Sequence, residues 1–167
     1  MIIKGLVEED FANYKKPSMF IIFPTCTFKC EKECGVHCCQ NSELATSPNI
    51  EINVHDIVNR YVKNPITNAI VIGGLEPFDS LWDLELLIQM FRKNTKDDIV
   101  IYTGYTENEL ESLNGHQYEG ISILKRISKY SNIIIKFGRY IPNQESHFDE
   151  TLGVELASPN QYARRIS

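Results

Sequence analysis

Four short apolar runs, separated by stretches with helical periodicity, constrain the fold of this chain more than any other feature. The runs lie at residues 19–23, 69–72, 99–102 and 133–137, and each is continuous rather than alternating. Continuous apolar runs are typical of strands that are covered on both faces. The alternation of strand and helix along the chain predicts βαβ units. We therefore expect an α/β fold on a parallel sheet, with residues 2–7 as an additional edge strand.

The segments between the runs carry helix signals. Asn53 with Asp56 is expected to open the first helix, Ser80 with Asp83 the second, and Thr106 with Glu109 a third, while residues 121–130 form a weaker helical pattern. Two apolar stripes follow the spacing of one helix face. They consist of Val54, Ile57, Val58, Tyr61 and Val62 in the first helix, and of Leu81, Leu84, Leu87, Ile88 and Phe91 in the second.

Length and charge exclude several classes of protein. The 167 residues suit one domain, so residues 1–167 are interpreted as a single unit. A net charge of −5 argues against a protein that coats nucleic acid. No apolar run approaches the roughly 20 residues that span a bilayer. Acidic residues begin at Glu8, which leaves no room for a signal-peptide core. We expect a cytoplasmic protein with no membrane or nucleic-acid partner.

The five cysteines all fall within fourteen residues, at 26, 30, 34, 38 and 39. A disulfide framework would distribute its cysteines along the chain, so this crowding indicates ligation of a metal or cluster. Cys26, Cys30, Cys34 and Cys38 recur at every fourth position and could surround a tetrahedral zinc ion, although structural zinc sites usually use pairs of closer cysteines. Iron–sulfur clusters also take thiolates from one loop. His37 could also ligate but is interpreted first as a solvated loop histidine, and His55, His116 and His147 are interpreted as solvated surface residues.

Unusual residues follow each of the four predicted strands. The first runs into the cysteines, and the others end in GGLEP at 73–77, TGY at 103–105 and GRY at 138–140. Ligands of α/β folds gather at the carboxyl ends of the strands. Four such turns at one edge predict an active site there.

These motifs together resemble the radical S-adenosylmethionine (SAM) superfamily. Its cluster loop follows a strand with Cys-x3-Cys and a further cysteine, and GGLEP is similar to its Gly-Gly-Glu-Pro turn, with Leu75 inserted. Cys39-Gln40-Asn41 resembles the Cys-aromatic-Asn ending of that loop in the activating proteins of anaerobic ribonucleotide reductase. The segments 101–105, 137–140 and 156–164 resemble later motifs of the same family, in the same order.

The resemblance implies a set of site residues. Cys26, Cys30 and Cys39 are the expected ligands of a [4Fe–4S] cluster held by the loop 26–41, with Cys34 as the rival third ligand. One iron is then left without a protein ligand. The expected contacts of SAM are Cys38, Gln40, Gly73, Gly74, Glu76 and Thr103. Glycine allows close backbone approach, and a carboxylate complements the ammonium of the methionyl group.

The resemblance also implies a fold and an activity. The fold is a partial, open TIM-like β/α barrel of parallel strands. The cluster reductively cleaves SAM to a 5′-deoxyadenosyl radical, which generates a glycyl radical on a large anaerobic ribonucleotide reductase. An electron donor such as flavodoxin or ferredoxin is required, and no catalytic residue is expected beyond the cluster ligands. Two alternatives stay open: a radical SAM enzyme that modifies another peptide or a small molecule, and a zinc-stabilised binding module.

Overall fold

A mixed sheet of six strands organises the protein in the computed structural model, which describes residues 1–113 and 121–167. The strands are β1 (Ile2–Ile3), β2 (Gly5–Asp10), β3 (Ser18–Phe23), β4 (Ile50–Glu51), β5 (Ala69–Gly74), β6 (Asp98–Tyr102), β7 (Ile133–Phe137), β8 (His147–Asp149), β9 (Val154–Leu156) and β10 (Tyr162–Arg165). The helices are α1 (Lys29–Cys34), α2 (Ser42–Thr46), α3 (Val54–Lys63), α4 (Leu81–Arg92), α5 (Glu107–Ser112) and α6 (Ile123–Ile127). A 3₁₀ turn, Pro77–Ser80, leads into α4.

The strand order in the main sheet is β10-β7-β6-β5-β3-β2. The four predicted strands, β3, β5, β6 and β7, are present, and each pairs in parallel with the next one along the chain. Antiparallel strands flank them, because β2 pairs with β3 and β10 pairs with β7. The fold is therefore α/β with a mixed sheet. The partial barrel stays a prediction.

The predicted edge strand at 2–7 is divided in the structure. The edge of the main sheet is β2, which begins only at Gly5 and shows a register irregularity between Val7 and Asp10. The preceding strand β1 pairs instead with β4 in a separate two-stranded sheet. Lys4 lies between the two strands, where its backbone N–H donates to the carbonyl of Ile22 at 2.7 Å.

The two faces of the main sheet are covered by different partners. Side chains of one face, such as Ile70 and Ile72, belong to a large buried cluster with residues of α3, α4, α5 and α6. Alternate residues, such as Val71, point to the other face and pack with Tyr14 and Leu152. Burial on both faces explains why the strands form continuous apolar runs.

The predicted helices are present at the expected positions, but one cap and one helix length differ from the prediction. Asn53 caps α3 by accepting from the backbone N–H of His55 at 2.9 Å, and Thr106 with Glu109 forms a reciprocal capping box on α5. Ser80 makes no side-chain cap, because the 3₁₀ turn precedes α4. The last helix is shorter than predicted, since α6 covers only Ile123–Ile127.

Four further expectations concern single residues. Val62, predicted to lie on the buried stripe, is 57 % exposed, because eight residues along a helix bring it about 80° away from the first stripe position. His55 is exposed as expected, whereas the Nδ1 atom of His147 is buried without a hydrogen-bond partner in the described residues. His116 lies outside the described residues. Within the described ranges, no helix combines the length and the apolar character needed to cross a membrane.

Asp98, at the start of β6, joins distant parts of the chain. Its carboxylate accepts from Tyr14 at 2.9 Å, from Lys16 at 2.5 Å and from Arg165 at 2.6 Å. Burial alone would raise the pKa of Asp98, but these three donors outweigh it and hold the pKa at about 2. The carboxylate thus ties the segment before β3 and the final strand to the centre of the sheet.

We expect Asp98→Asn to lower the free energy of unfolding by about 2 kcal/mol at pH 7, because three donors lose a charged acceptor. The pKa of Asp98 is lower in the folded protein than in the unfolded chain, so its contribution is present above pH 4 and is lost as pH falls toward 2. Urea unfolding across this range measures the effect. Glu51→Gln, at an exposed carboxylate, is the matched control. Equal stability of the two variants would contradict the prediction.

Candidate functional site

The cysteine loop, residues 24–41, is anchored at both ends to the turn that follows β5. At its start, the carbonyl of Thr25 accepts from the backbone N–H of Glu76 at 2.7 Å, and the N–H of Thr27 donates to the Asp79 carboxylate at 2.7 Å. At its end, the side-chain amide of Asn41 donates to the carbonyl of Gly74 at 2.8 Å. Two strand ends that are adjacent in the sheet therefore share one network of hydrogen bonds.

Within the loop, a short helix and a reversal bring four of the five cysteines together as two pairs of neighbours. The helix α1 ends on Gly35, whose φ of 71° lies in the left-handed region. The chain then turns back along α1, and the backbone N–H of Cys39 donates to the Glu31 carboxylate at 3.2 Å. As a result, the Cys39 thiol neighbours that of Cys30 and adds to burial in raising the pKa of Cys30. The Cys34 and Cys38 thiols are the second pair of neighbours, and Cys34 raises the pKa of Cys38.

A cavity of about 340 Å³ opens beside the first pair. This volume lies within the roughly 300–1,000 Å³ of small-molecule sites. The predicted site residues that line it are Cys26, Cys30, Cys39, Gln40, Gly74, Glu76 and Thr103. The structure does not bring Cys34, Cys38 or Gly73 to this lining. The remaining wall comes from the strand ends and from the β8–β9 hairpin, including Phe20, Tyr102, Lys136, Arg139 and Glu155.

The three thiols of the cavity are free and partly buried. Burial raises the pKa of Cys26 to about 11, and burial together with the neighbouring Cys39 raises the pKa of Cys30. Such thiols favour the neutral form until a cation arrives. Among the described residues, no three His, Cys, Asp or Glu side chains are gathered closely enough to hold a single metal ion. A cluster needs a wider arrangement of ligands than a single ion, because each thiolate binds a separate iron atom of the cluster.

Glu76 is the buried carboxylate of the cavity, and it accepts three hydrogen bonds from the protein. One oxygen accepts from the Thr103 hydroxyl at 2.7 Å and from the N–H of Phe78 at 3.2 Å, and the other accepts from the N–H of Gly104 at 2.8 Å. Burial nevertheless dominates and raises the pKa of Glu76 to about 7, with these hydrogen bonds acting in the opposite direction. The predicted pair of Glu76 and Thr103 is therefore in direct contact.

Lys136 is a functional candidate that the sequence analysis missed. It is 7 % exposed and lines the cavity from β7, where its ammonium donates to the carbonyl of Gly138 at 2.9 Å. An ammonium has three N–H donors, and the described residues supply only this one acceptor. Burial lowers the pKa of Lys136 to about 8, against the opposing influence of Glu76. The available signal was a single lysine inside the apolar run 133–137.

Arg139 connects the far side of the sheet to the cysteine loop. Its guanidinium donates to both carboxylate oxygens of Glu109, at 2.9 Å and 2.6 Å. Its Nε atom lies 3.3 Å from the carboxylate of Glu33 on α1, without the alignment of a hydrogen bond. Lys29 on the same helix lies over the ring of Tyr105, 4.2 Å from its centroid. These contacts hold α1 against the ends of β6 and β7.

The glycines of the GGLEP turn have a structural reason for being glycine. Gly74 has a φ of 88°, and a Cβ there would lie 2.4 Å from the Cγ2 atom of Ile22. At Gly73 a Cβ would lie 3.2 Å from the Cβ of Tyr102. Close packing between neighbouring strands therefore requires small residues here, so a Gly74→Val substitution would disturb the sheet before it disturbed any ligand.

Comparison with known proteins bears directly on the cysteine loop. A family model described as a 4Fe–4S single cluster domain matches residues 18–155, which include every cysteine and the whole of the cavity's parallel strands. The chain belongs to this 4Fe–4S single cluster family. It matches no curated protein and no solved structure. The family match therefore identifies the cofactor as a 4Fe–4S cluster. The free thiols around one cavity fit such a cluster.

We expect the buried carboxylate of Glu76 to leave a pH signature on the stability of the iron-free, reduced domain. Its pKa is higher in the folded protein than in the unfolded chain, so folding binds a proton between about pH 4.5 and 7. The stability of the wild type relative to Glu76→Gln should fall across this range by about 3 kcal/mol in total. Urea unfolding at several pH values provides the measurement. A stability difference that does not change with pH would show that the pKa of Glu76 is ordinary.

Proposed function

We propose that this 4Fe–4S protein is a radical SAM activating enzyme that generates a glycyl radical on an anaerobic ribonucleotide reductase, with flavodoxin or ferredoxin as the electron donor. In this proposal Cys26, Cys30 and Cys39 hold the cluster, and SAM occupies the adjoining cavity. The parallel strands β3, β5, β6 and β7 form the proposed partial barrel. The motifs at the strand ends resemble those of the activating proteins, and this resemblance is the reason for proposing the reductase as the substrate.

One observation carries the proposal. Three of the five thiols line the same cavity as a buried carboxylate and the turn that follows β5, whereas Cys34 and Cys38 do not. A cluster with three protein ligands needs a neighbouring space for a small molecule that completes its coordination. The cavity beside Cys30 and Cys39 offers such a space, with Glu76 inside it.

The protein's own residues supply binding, orientation and fixed charge. When bound, a reduced cluster supplies the electron that cleaves SAM and yields the hydrogen-abstracting radical. Glu76 faces the cavity with a negative charge above pH 7 and favours a cationic ligand group. Thr103 and Gly104 keep that carboxylate in one orientation through hydrogen bonds of 2.7 Å and 2.8 Å. Lys136 provides a positive charge elsewhere on the wall, which favours an anionic group of the same ligand.

A protein substrate is compatible with the arrangement of the sheet. In the described residues, the sheet ends at β2 on one side and at β10 on the other, and these two strands do not pair with each other. The sheet is thus open, and the cavity lies at the ends of its parallel strands. We expect a bulky backbone segment of the partner to approach this edge. The acidic net charge of the chain favours a partner whose contacting face is basic.

Single substitutions of the cysteines test the ligand assignment. We expect Cys26→Ala, Cys30→Ala and Cys39→Ala each to lose iron after anaerobic reconstitution, because each removes one thiolate from the cluster. Cys38→Ala, which has the same change outside the cavity, should keep the wild-type content of about four irons per chain. Iron analysis and visible absorption provide the readouts. A Cys39→Ala protein that keeps its cluster while Cys34→Ala loses it would identify Cys34 as the third ligand.

The reaction is tested with the reduced holoprotein, SAM and the cognate anaerobic ribonucleotide reductase. We expect 5′-deoxyadenosine together with a glycyl-radical doublet in the electron paramagnetic resonance spectrum. SAM cleavage should be much slower without the reductase, since the radical then lacks its substrate. Rapid deoxyadenosine formation with a small molecule, and no radical on the reductase, would favour the other class of radical SAM enzyme. A colourless protein that purifies with zinc would favour the binding module.

A further inference from the structure

The cysteine loop leads directly into α2, a short helix that buries none of its residues. The hydrogen bonds that α2 makes through its own backbone and side chains run within residues 39–47. Segments with little buried apolar surface open at a low cost in free energy. The position of α2, and with it the end of the cysteine loop, therefore depends on contacts that reach the helix from elsewhere.

Lys4 makes such a contact. Its ammonium donates to the carbonyl of Ala45 at 3.1 Å and also to the carbonyl of Ser47, at the C-terminal end of α2. Among the described residues, no other hydrogen bond joins residues 42–47 to the chain outside residues 39–47. Carbonyls at the end of a helix lack partners within the helix, and a lysine side chain is suited to bind them.

The backbone of Lys4 is fixed beside the entry of the same loop. Its N–H donates to the carbonyl of Ile22 at 2.7 Å, and β3 ends one residue later, at Phe23, where the loop begins. The preceding residue, Ile3, is buried in the main apolar cluster. Lys4 thus connects the strand that enters the cysteine loop with the helix that follows it.

We propose that Lys4 is a positioning residue for the 4Fe–4S site, which holds the exit of the cysteine loop against its entry and thereby slows the loss of the cluster. The carbonyl of Cys39, the third proposed ligand, accepts from the N–H of Ser42 at 3.4 Å, so a displacement of α2 would displace this ligand. Leu44 of the same helix lines the cavity. The inference rests on the cluster family, which is shown, and on the assignment of Cys39 in the proposed function.

The remaining attachments show what Lys4 adds. Without its ammonium, the side chain of Asn41 still binds the carbonyl of Gly74 at 2.8 Å, and β4 still pairs with β1. The segment between these two attachments, residues 42–49, would then open more often. Each opening pulls on Cys39 and exposes its iron to competing ligands. A hydrogen bond from a charged donor contributes enough free energy to change the population of such an open state about tenfold.

The experiment uses the anaerobically reconstituted holoprotein and an excess of the ferrous-iron chelator bathophenanthroline disulfonate, with neither SAM nor reductase present. Lys4→Met keeps the aliphatic part of the side chain and removes the donor. We expect this variant to release iron about tenfold faster than the wild type, as measured by the absorbance of the chelate. Lys4→Arg restores a cationic donor and should release iron within about twofold of the wild-type rate.

Lys63→Met is the matched control. It removes the same charge from an exposed lysine at the end of α3 that has no hydrogen-bond or ion-pair partner in the described residues. We expect it to release iron at the wild-type rate. Amide hydrogen exchange of the same holoproteins separates a local effect from a loss of the fold. In Lys4→Met, residues 42–47 should exchange about tenfold faster, whereas β5 and β6 should keep their wild-type protection.

Three results would overturn the inference. Lys4→Met could release iron no faster than Lys63→Met, Lys4→Arg could release it as fast as Lys4→Met, or β5 and β6 could lose protection together with residues 42–47. A failure of the glycyl-radical assay leaves the release rates unaffected, because neither SAM nor the reductase enters this experiment. A wrong assignment of Cys39 appears in the reconstitution of Cys39→Ala, so the failures of the two proposals are distinguishable.

Discussion

The structure depends on the hydrogen bonds that join the cysteine loop to the turn after β5. A loop of this length, with few buried side chains of its own, has little apolar surface with which to fix its shape. The loop is ordered by hydrogen bonds to residues outside it. At its start, Thr25 and Thr27 bind the turn and the 3₁₀ segment that follow β5. At its end, Asn41 binds Gly74. Because β3 and β5 are adjacent parallel strands, both anchors meet at one edge of the sheet. The arrangement of the thiols follows from that adjacency.

The sequence predicts the framework well because burial on both faces leaves an unmistakable pattern. The four parallel strands and the capping box of Thr106 and Glu109 are present where local chemistry indicates them. The antiparallel strand β10 is missed, since its sequence YARR carries no apolar signal and its place depends on pairing with β7. Tertiary pairing overrides propensity at such an edge.

The site itself is only partly predictable for a related reason. Cysteines at every fourth position suggest four ligands of one tetrahedral site, yet α1 ends at Cys34 and Gly35 reverses the chain, so that Cys30 neighbours Cys39 and Cys34 neighbours Cys38. Many sequences place a glycine in the left-handed region. The sequence alone does not show which thiols the resulting reversal of the chain brings together. Lys136 is hidden in the same way, because a lysine in a strand gives no indication of whether its ammonium reaches solvent or a cavity.

The contact between Arg139 and Glu33 has a consequence for the timing of assembly. The residues of the cysteine loop leave the ribosome early, whereas Arg139 follows β7 and is made roughly a hundred residues later. The anchor points at Asp79 and Glu109 also come after the thiols in the chain. The contact that holds α1 from the side of β7 therefore forms only after the last parallel strand has been made. The hydrogen bonds of the loop to Gly74, Glu76 and Asp79 become available about sixty residues earlier in synthesis than this contact.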